Sequence, residues 1–113
     1  MREVVIVEAV RSPVGRRKGL LSEKRPDDLL GDVLKELMDR AQLDPATVED
    51  VIAGCVSQVG EQGMDIARTA LLIAGFPIEV PGVTIDRQCG SSQQAVHFGA
   101  QAISSGDMET VIA

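Results

Sequence analysis

The stretch Val83-Thr84-Ile85-Asp86-Arg87-Gln88-Cys89-Gly90-Ser91-Ser92-Gln93-Gln94-Ala95 decides the fold. A β-branched run ends at a polar corner, and small and apolar residues begin directly behind it, so the segment reads as strand, sharp corner and helix. The helix pattern continues through Val96, Phe98, Gly99, Ala100, Ala102 and Ile103 to Ser105 without a charged residue, and stops at Gly106-Asp107. A helix that is small or apolar nearly all round is normally buried between layers. This one is therefore expected inside the molecule.

Upstream, strand-like and helix-like segments alternate. Val4 to Ala9 is a β-branched run that predicts a strand, followed by the irregular connection Arg11-Ser12-Pro13-Val14-Gly15. Pro26 before Asp27 and Asp28 is a helix start, because proline has no donor to lose there and the acids suit the positive end of the helix dipole. Leu29, Leu30, Val33, Leu34, Leu37, Met38 and Ala41 then recur at helical spacing and define one buried face. Asp44-Pro45 repeats the start signal before Val51 to Val56, a second buried strand with Cys55 within it. Met64 to Ala74 predicts a helix ended by Gly75 and Pro77, and Gly82 to Asp86 a further strand. Such alternation implies an α/β fold with a mostly parallel sheet joined by right-handed crossovers. The chain closes on the strand-like Thr110-Val111-Ile112-Ala113, and since domains seldom stop within a strand, a partial domain is expected.

Composition narrows the function classes. The 113 residues suit one domain, and 44% apolar with 25% charged residues is the balance of a soluble globular protein. Two aromatic rings, Phe76 and Phe98, and a net charge of −6 exclude a nucleic-acid binder, which needs a basic face and stacking platforms. The uncharged stretch from Gln88 to Gly106 carries four Gln, four Ser and His97, which a lipid-spanning helix tolerates poorly. No secretory signal pattern opens the chain, so a cytoplasmic setting is expected, in which Cys55 and Cys89 stay unpaired. One His and no paired cysteines offer no metal-ligand spacing. Between Arg11 and Arg25 six basic residues face the single acid Glu23, a solvated loop or a contact for an anionic ligand.

Cys89 carries the chemistry. At a helix start the first backbone N–H groups are unpaired and the dipole adds partial positive charge, both of which favour a thiolate. Gly90, Ser91 and Ser92 let a ligand approach the backbone, and the Cys89 N–H is a candidate donor to the oxyanion of a tetrahedral intermediate. On spacing alone, an inert cysteine buried at a tight junction explains the same pattern. Cys55 reads as a small hydrophobe, His97 as a core histidine two turns from the corner, and Arg68 as a cation that reaches a carboxylate or a carbonyl. Asp86 and Arg87 read as a structural ion pair or an interface contact.

The run Asp86 to Ala95 resembles the acyl-enzyme motif of thiolases, in which the cysteine accepts an acyl group from a coenzyme A thioester. Ile6 to Gly15, Gly60 through Ala67-Arg68, and Leu71 to Pro77 resemble further segments of that family in the same order, so the similarity covers essentially the whole chain. Asp86, where many thiolases have Asn, and Ser92, where many have a second Gly, depart from the pattern without removing the nucleophile.

The resemblance implies a layered α/β fold of two similar halves, of which residues 1–113 supply a partial N-terminal domain and lack the C-terminal domain. It implies acyl transfer between a 3-ketoacyl-CoA or acetyl-CoA and CoA through a Cys89 thioester, with a His and a second Cys supplied later in the chain. It further implies no tightly bound cofactor, with the coenzyme A thioester as substrate, and assembly into homodimers or homotetramers. Two other readings stay open: a condensing enzyme of the ketoacyl synthase type, and a catalytically incomplete fragment that acts as a folding or interaction module.

Overall fold

A computed structural model describes residues 1–113. Its elements are α1 (Pro26–Ala41), β1 (Asp50–Gly54), α2 (Ile66–Ile73), β2 (Gly82–Ile85), α3 (Ser91–Ser105) and β3 (Val111–Ile112), with single 3₁₀ turns at Pro45–Thr47 and Gly60–Gln62. The expected caps are present: Pro26 opens α1 with Asp27 and Asp28 behind it, and the Asp44 carboxylate accepts the Ala46 N–H at 2.9 Å. Gly75 and Gly106 follow α2 and α3 in the left-handed conformation that ends a helix, both at φ 84°.

The sheet is parallel, in the order β2-β1-β3. Val51 and Ala53 of β1 join the main apolar cluster with Leu34 and Met38 of α1 and Ala67, Ala70 and Leu71 of α2. Side chains alternate along a strand, so Ile52 and Gly54 point to the other face, where α3 packs. The first crossover runs from β1 outward to β2 and the second returns past β1 to β3. Right-handed connections in opposite directions place α2 and α3 on opposite faces. The result is the layered α/β arrangement that the sequence implies.

Two expectations fail. Val4 to Ala9 forms no strand: the only backbone-to-backbone hydrogen bond of residues 1–10 runs from the Arg2 N–H to the Ser104 carbonyl at 3.1 Å, and Val5, Ile6 and Val7 are exposed. β-branched residues favour an extended backbone, but a strand exists only where a neighbour takes its N–H and C=O groups. Nor is α3 enclosed. Ser91, Ala95 and Gly99, four residues apart, form its one buried stripe, while Val96 and Phe98 are 45% and 41% exposed. The small residues serve close approach on one side: a methyl group added at Gly99 would lie 3.1 Å from Val111 Cγ1 of β3.

Candidate active site

Adjacent parallel strands β1 and β2 send their following helices to opposite faces of the sheet. In open α/β sheets, the crevice beyond the carboxyl ends of such a strand pair is the favoured ligand position. Here that position lies between the loops Cys55 to Asp65 after β1 and Asp86 to Gly90 after β2.

The corner after β2 is built by short-range polar bonds. The Asp86 carboxylate accepts the Gln88 N–H at 2.8 Å, closing a tight turn. Gln88 adopts φ 46°, a left-handed conformation uncommon for a side-chain-bearing residue. Ser91, 5% exposed, spans the corner: its hydroxyl donates to the Gln88 carbonyl at 2.8 Å and accepts the Arg87 N–H at 2.9 Å. The Gly90 N–H donates to the Arg87 carbonyl at 2.9 Å. Cys89 stands at the apex, exposed and unpaired with any other cysteine, and its N–H donates to no acceptor. The N–H groups of Ser92 and Gln93 in the first turn of α3 also lack an acceptor, as the open end of a helix dictates.

In the loop after β1, Cys55 is half-buried. Cys55 directly follows β1 rather than lying within it. Its N–H extends the ladder to the Ile85 carbonyl at 2.9 Å, and its sulfur receives Gln62 Nε2 at 3.5 Å. Thr84 Oγ1 donates to Asp65 Oδ1 at 2.7 Å and accepts the Ala67 N–H at 3.1 Å, tying the start of α2 to β2. Of the two partners its sequence context allows, a carboxylate or a carbonyl, Arg68 meets carbonyls: those of Val80 at 2.6 Å and Ile78 at 3.0 Å.

The remaining sequence-derived candidates are displaced. His97 is exposed rather than in the core, because it lies two residues, about 200° of helix rotation, from the buried Ala95. Asp86 and Arg87 form no ion pair, since the Asp86 carboxylate is taken up by Gln88. Of the basic segment, Lys24 pairs with Asp32, and Arg25 with Asp27 and Glu61, whereas Arg11, Arg16, Arg17 and Lys18 make no ion pair. Sequence reading missed Ser91 as the clamp of the corner. The only available signal was its place two residues after Cys89.

A family described as thiolase, N-terminal domain, matches residues 4–113. The chain belongs to the thiolase family. This thiolase chain is 54% identical over its whole length to steroid 3-ketoacyl-CoA thiolase FadA6 of Mycobacterium tuberculosis, of which it covers 28%. It is 48% identical over 111 residues to a 3-ketoacyl-CoA thiolase of Vibrio vulnificus, with 96% of this chain and 29% of that protein covered. Among solved structures, the acetyl-CoA acetyltransferase of Bacillus anthracis superposes with a TM-score of 0.89 at 43% identity, covering 95% of this chain and 27% of that one. The thiolase chain thus spans under a third of the length of these relatives.

Proposed function

We propose that the chain is the acyl-carrying part of a thiolase-type acyltransferase that acts on 3-ketoacyl-CoA or acetyl-CoA, with Cys89 as nucleophile. The observation that carries this reading is the corner itself: an exposed thiol on a left-handed turn at the open end of a helix, beside an unpartnered N–H. The relatives' names support a 3-ketoacyl-CoA as the substrate class.

In the degradative direction the Cys89 thiolate attacks the keto carbon, and the Cys89 N–H donates to the oxyanion that forms. Collapse of this intermediate breaks the bond between the keto carbon and its α-carbon. Acetyl-CoA leaves after its α-carbon takes up a proton, and the shortened acyl group stays on Cys89 as a thioester. The thiolate of free CoA then attacks that thioester and releases Cys89. Synthesis is the reverse. The proton transfers fall to a later His and Cys of the family pattern, since His97 lies two turns from Cys89 and on another side of α3 from Ala95. The coenzyme A thioester is the substrate, and no other cofactor is required. The complete enzyme is a cytoplasmic homodimer or homotetramer. Residues 1–113 form the first part of its N-terminal domain and, without the later base, do not turn over alone.

A two-step route through an acyl-enzyme exchanges labelled CoA into acetyl-CoA with no second substrate present. The complete gene product is expected to catalyse this exchange, and Cys89→Ser to abolish it. Exchange that survives in Cys89→Ser overturns the assignment. No exchange in the unsubstituted protein favours the folding-module reading.

A further inference from the structure

We infer that Gly54 and Ser91 are positioning residues for Cys89, together seating the corner so that the Cys89 N–H is held in one place; this rests on the reading of Cys89 as acyl carrier. Gly54 is the last residue of β1, and strand alternation turns it toward α3. A methyl group added there would lie 2.3 Å from Ser92 N, 2.4 Å from the Ser91 carbonyl carbon and 2.6 Å from Ser92 Cα. These are backbone atoms, so no side-chain rotation relieves the contact. Any side chain at position 54 lifts the first turn of α3 from the sheet, and Cys89 lies two residues before that turn.

Ser91 fixes the same turn from within. Its buried hydroxyl holds the Arg87 N–H and the Gln88 carbonyl at 2.9 and 2.8 Å, so the two residues before Cys89 are tied to the second residue after it. With the corner gripped from beneath and from inside, the amide of Cys89 keeps its direction while the thiol stays open to solvent. An oxyanion donor acts only when it is placed before the charge develops. Simple alkylation of an exposed thiol has no such requirement. Acyl transfer and alkylation at Cys89 therefore depend differently on the seat.

Gly82 provides the control. A methyl group there would lie 2.8 Å from Arg68 N and 3.0 Å from Arg68 Cα, a clash with backbone that is milder than at Gly54 and lies on the opposite face, against α2. In the complete gene product, acetyl transfer from acetyl-CoA to Cys89 and alkylation of Cys89 by iodoacetamide are timed by mass spectrometry. Gly54→Ala is expected to slow acetylation at least about tenfold while alkylation stays within about twofold, since one misplaced oxyanion donor costs about 10²–10³ in rate. Gly82→Ala is expected to change both rates by the same factor. Ser91→Ala, which adds no atom and so tests the seat even where Gly54→Ala does not fold, is expected to show the Gly54 pattern at smaller size.

Equal acetylation in folded Gly54→Ala and the unsubstituted protein overturns the seat, as does an unchanged ratio of the two rates in Ser91→Ala. An unsubstituted protein that takes up no acetyl group overturns the acyl-carrier reading, and the seat with it.

Discussion

Arg68 places a guanidinium on the most apolar helix of the molecule, and the charge is met by two carbonyls rather than by an acid. The fork geometry of arginine serves both acceptors at once, and lysine does not reproduce it. Arg68→Lys is expected to cost about 1–2 kcal/mol, from one charge-assisted hydrogen bond lost, read as a lower urea midpoint at unchanged slope. Asp27 shows the opposite solution. Its carboxylate accepts Arg25 Nε and Nη2 at 3.0 and 2.9 Å and the Asp28 N–H at 3.0 Å. The Arg25 hydrogen bond above all, helped by the Asp28 N–H, holds it below the usual aspartate range. A folded-state value below the unfolded one means that the contribution is complete above the unfolded pKa, about 3.9, and is lost as pH falls through the folded value. Unfolding midpoints should therefore fall more steeply below about pH 4 in the unsubstituted chain than in Asp27→Asn; parallel curves would refute the linkage. Arg68 was legible as a cation in need of a carboxylate or a carbonyl, because it stands in an apolar helix; which of the two it meets was not. His97 was misplaced because the absence of charge around it reads alike for a helix buried on all sides and one buried on a single small-residue stripe.

At the scale of elements, close packing turns on glycines that the sequence alone does not rank. Gly31 on α1 meets α2 so tightly that an added methyl group would lie 2.9 Å from Ile73 Cγ2 and 3.3 Å from the Ala70 carbonyl oxygen. Alanine gains about 1 kcal/mol of helix propensity over glycine, against overpacking of about 1–3 kcal/mol. Gly31→Ala is thus expected to destabilise by about 1 kcal/mol, measured by chemical denaturation, and a stabilised variant would show that the two helices slide apart at little cost. From α1 onward, the element order and the parallel pairing were readable because β-branched runs and helical periodicity differ in period. The left-handed turn at Gln88 was not, since glutamine carries no preference for it. The conformation is imposed by Asp86 and Ser91.

For the whole molecule, the sheet has one well-ordered centre and an unpaired flank. β1 is paired on both sides, while the apolar run Val4 to Val7 has no ladder partner. β-propensity alone marked that run as a strand, and only the arrangement of the other elements reveals that no edge receives it. In hydrogen exchange on residues 1–113, amides of Val4 to Val10 are expected to exchange at nearly unprotected rates while those of Val51 and Ala53 are slow; protection of the N-terminal run would contradict the fold as described. The site follows from the same topology, because oppositely directed crossovers bring the loops after β1 and β2 together at the carboxyl ends of these strands, where Cys89 stands. Its motif was legible in full, its clamp and seat only in three dimensions. The most direct test of the account is peptide mass spectrometry of the complete gene product after incubation with acetyl-CoA. One acetyl group on the peptide containing Cys89, absent in Cys89→Ser, is the predicted result; acetyl uptake confined to Cys55, or none at Cys89, would contradict it.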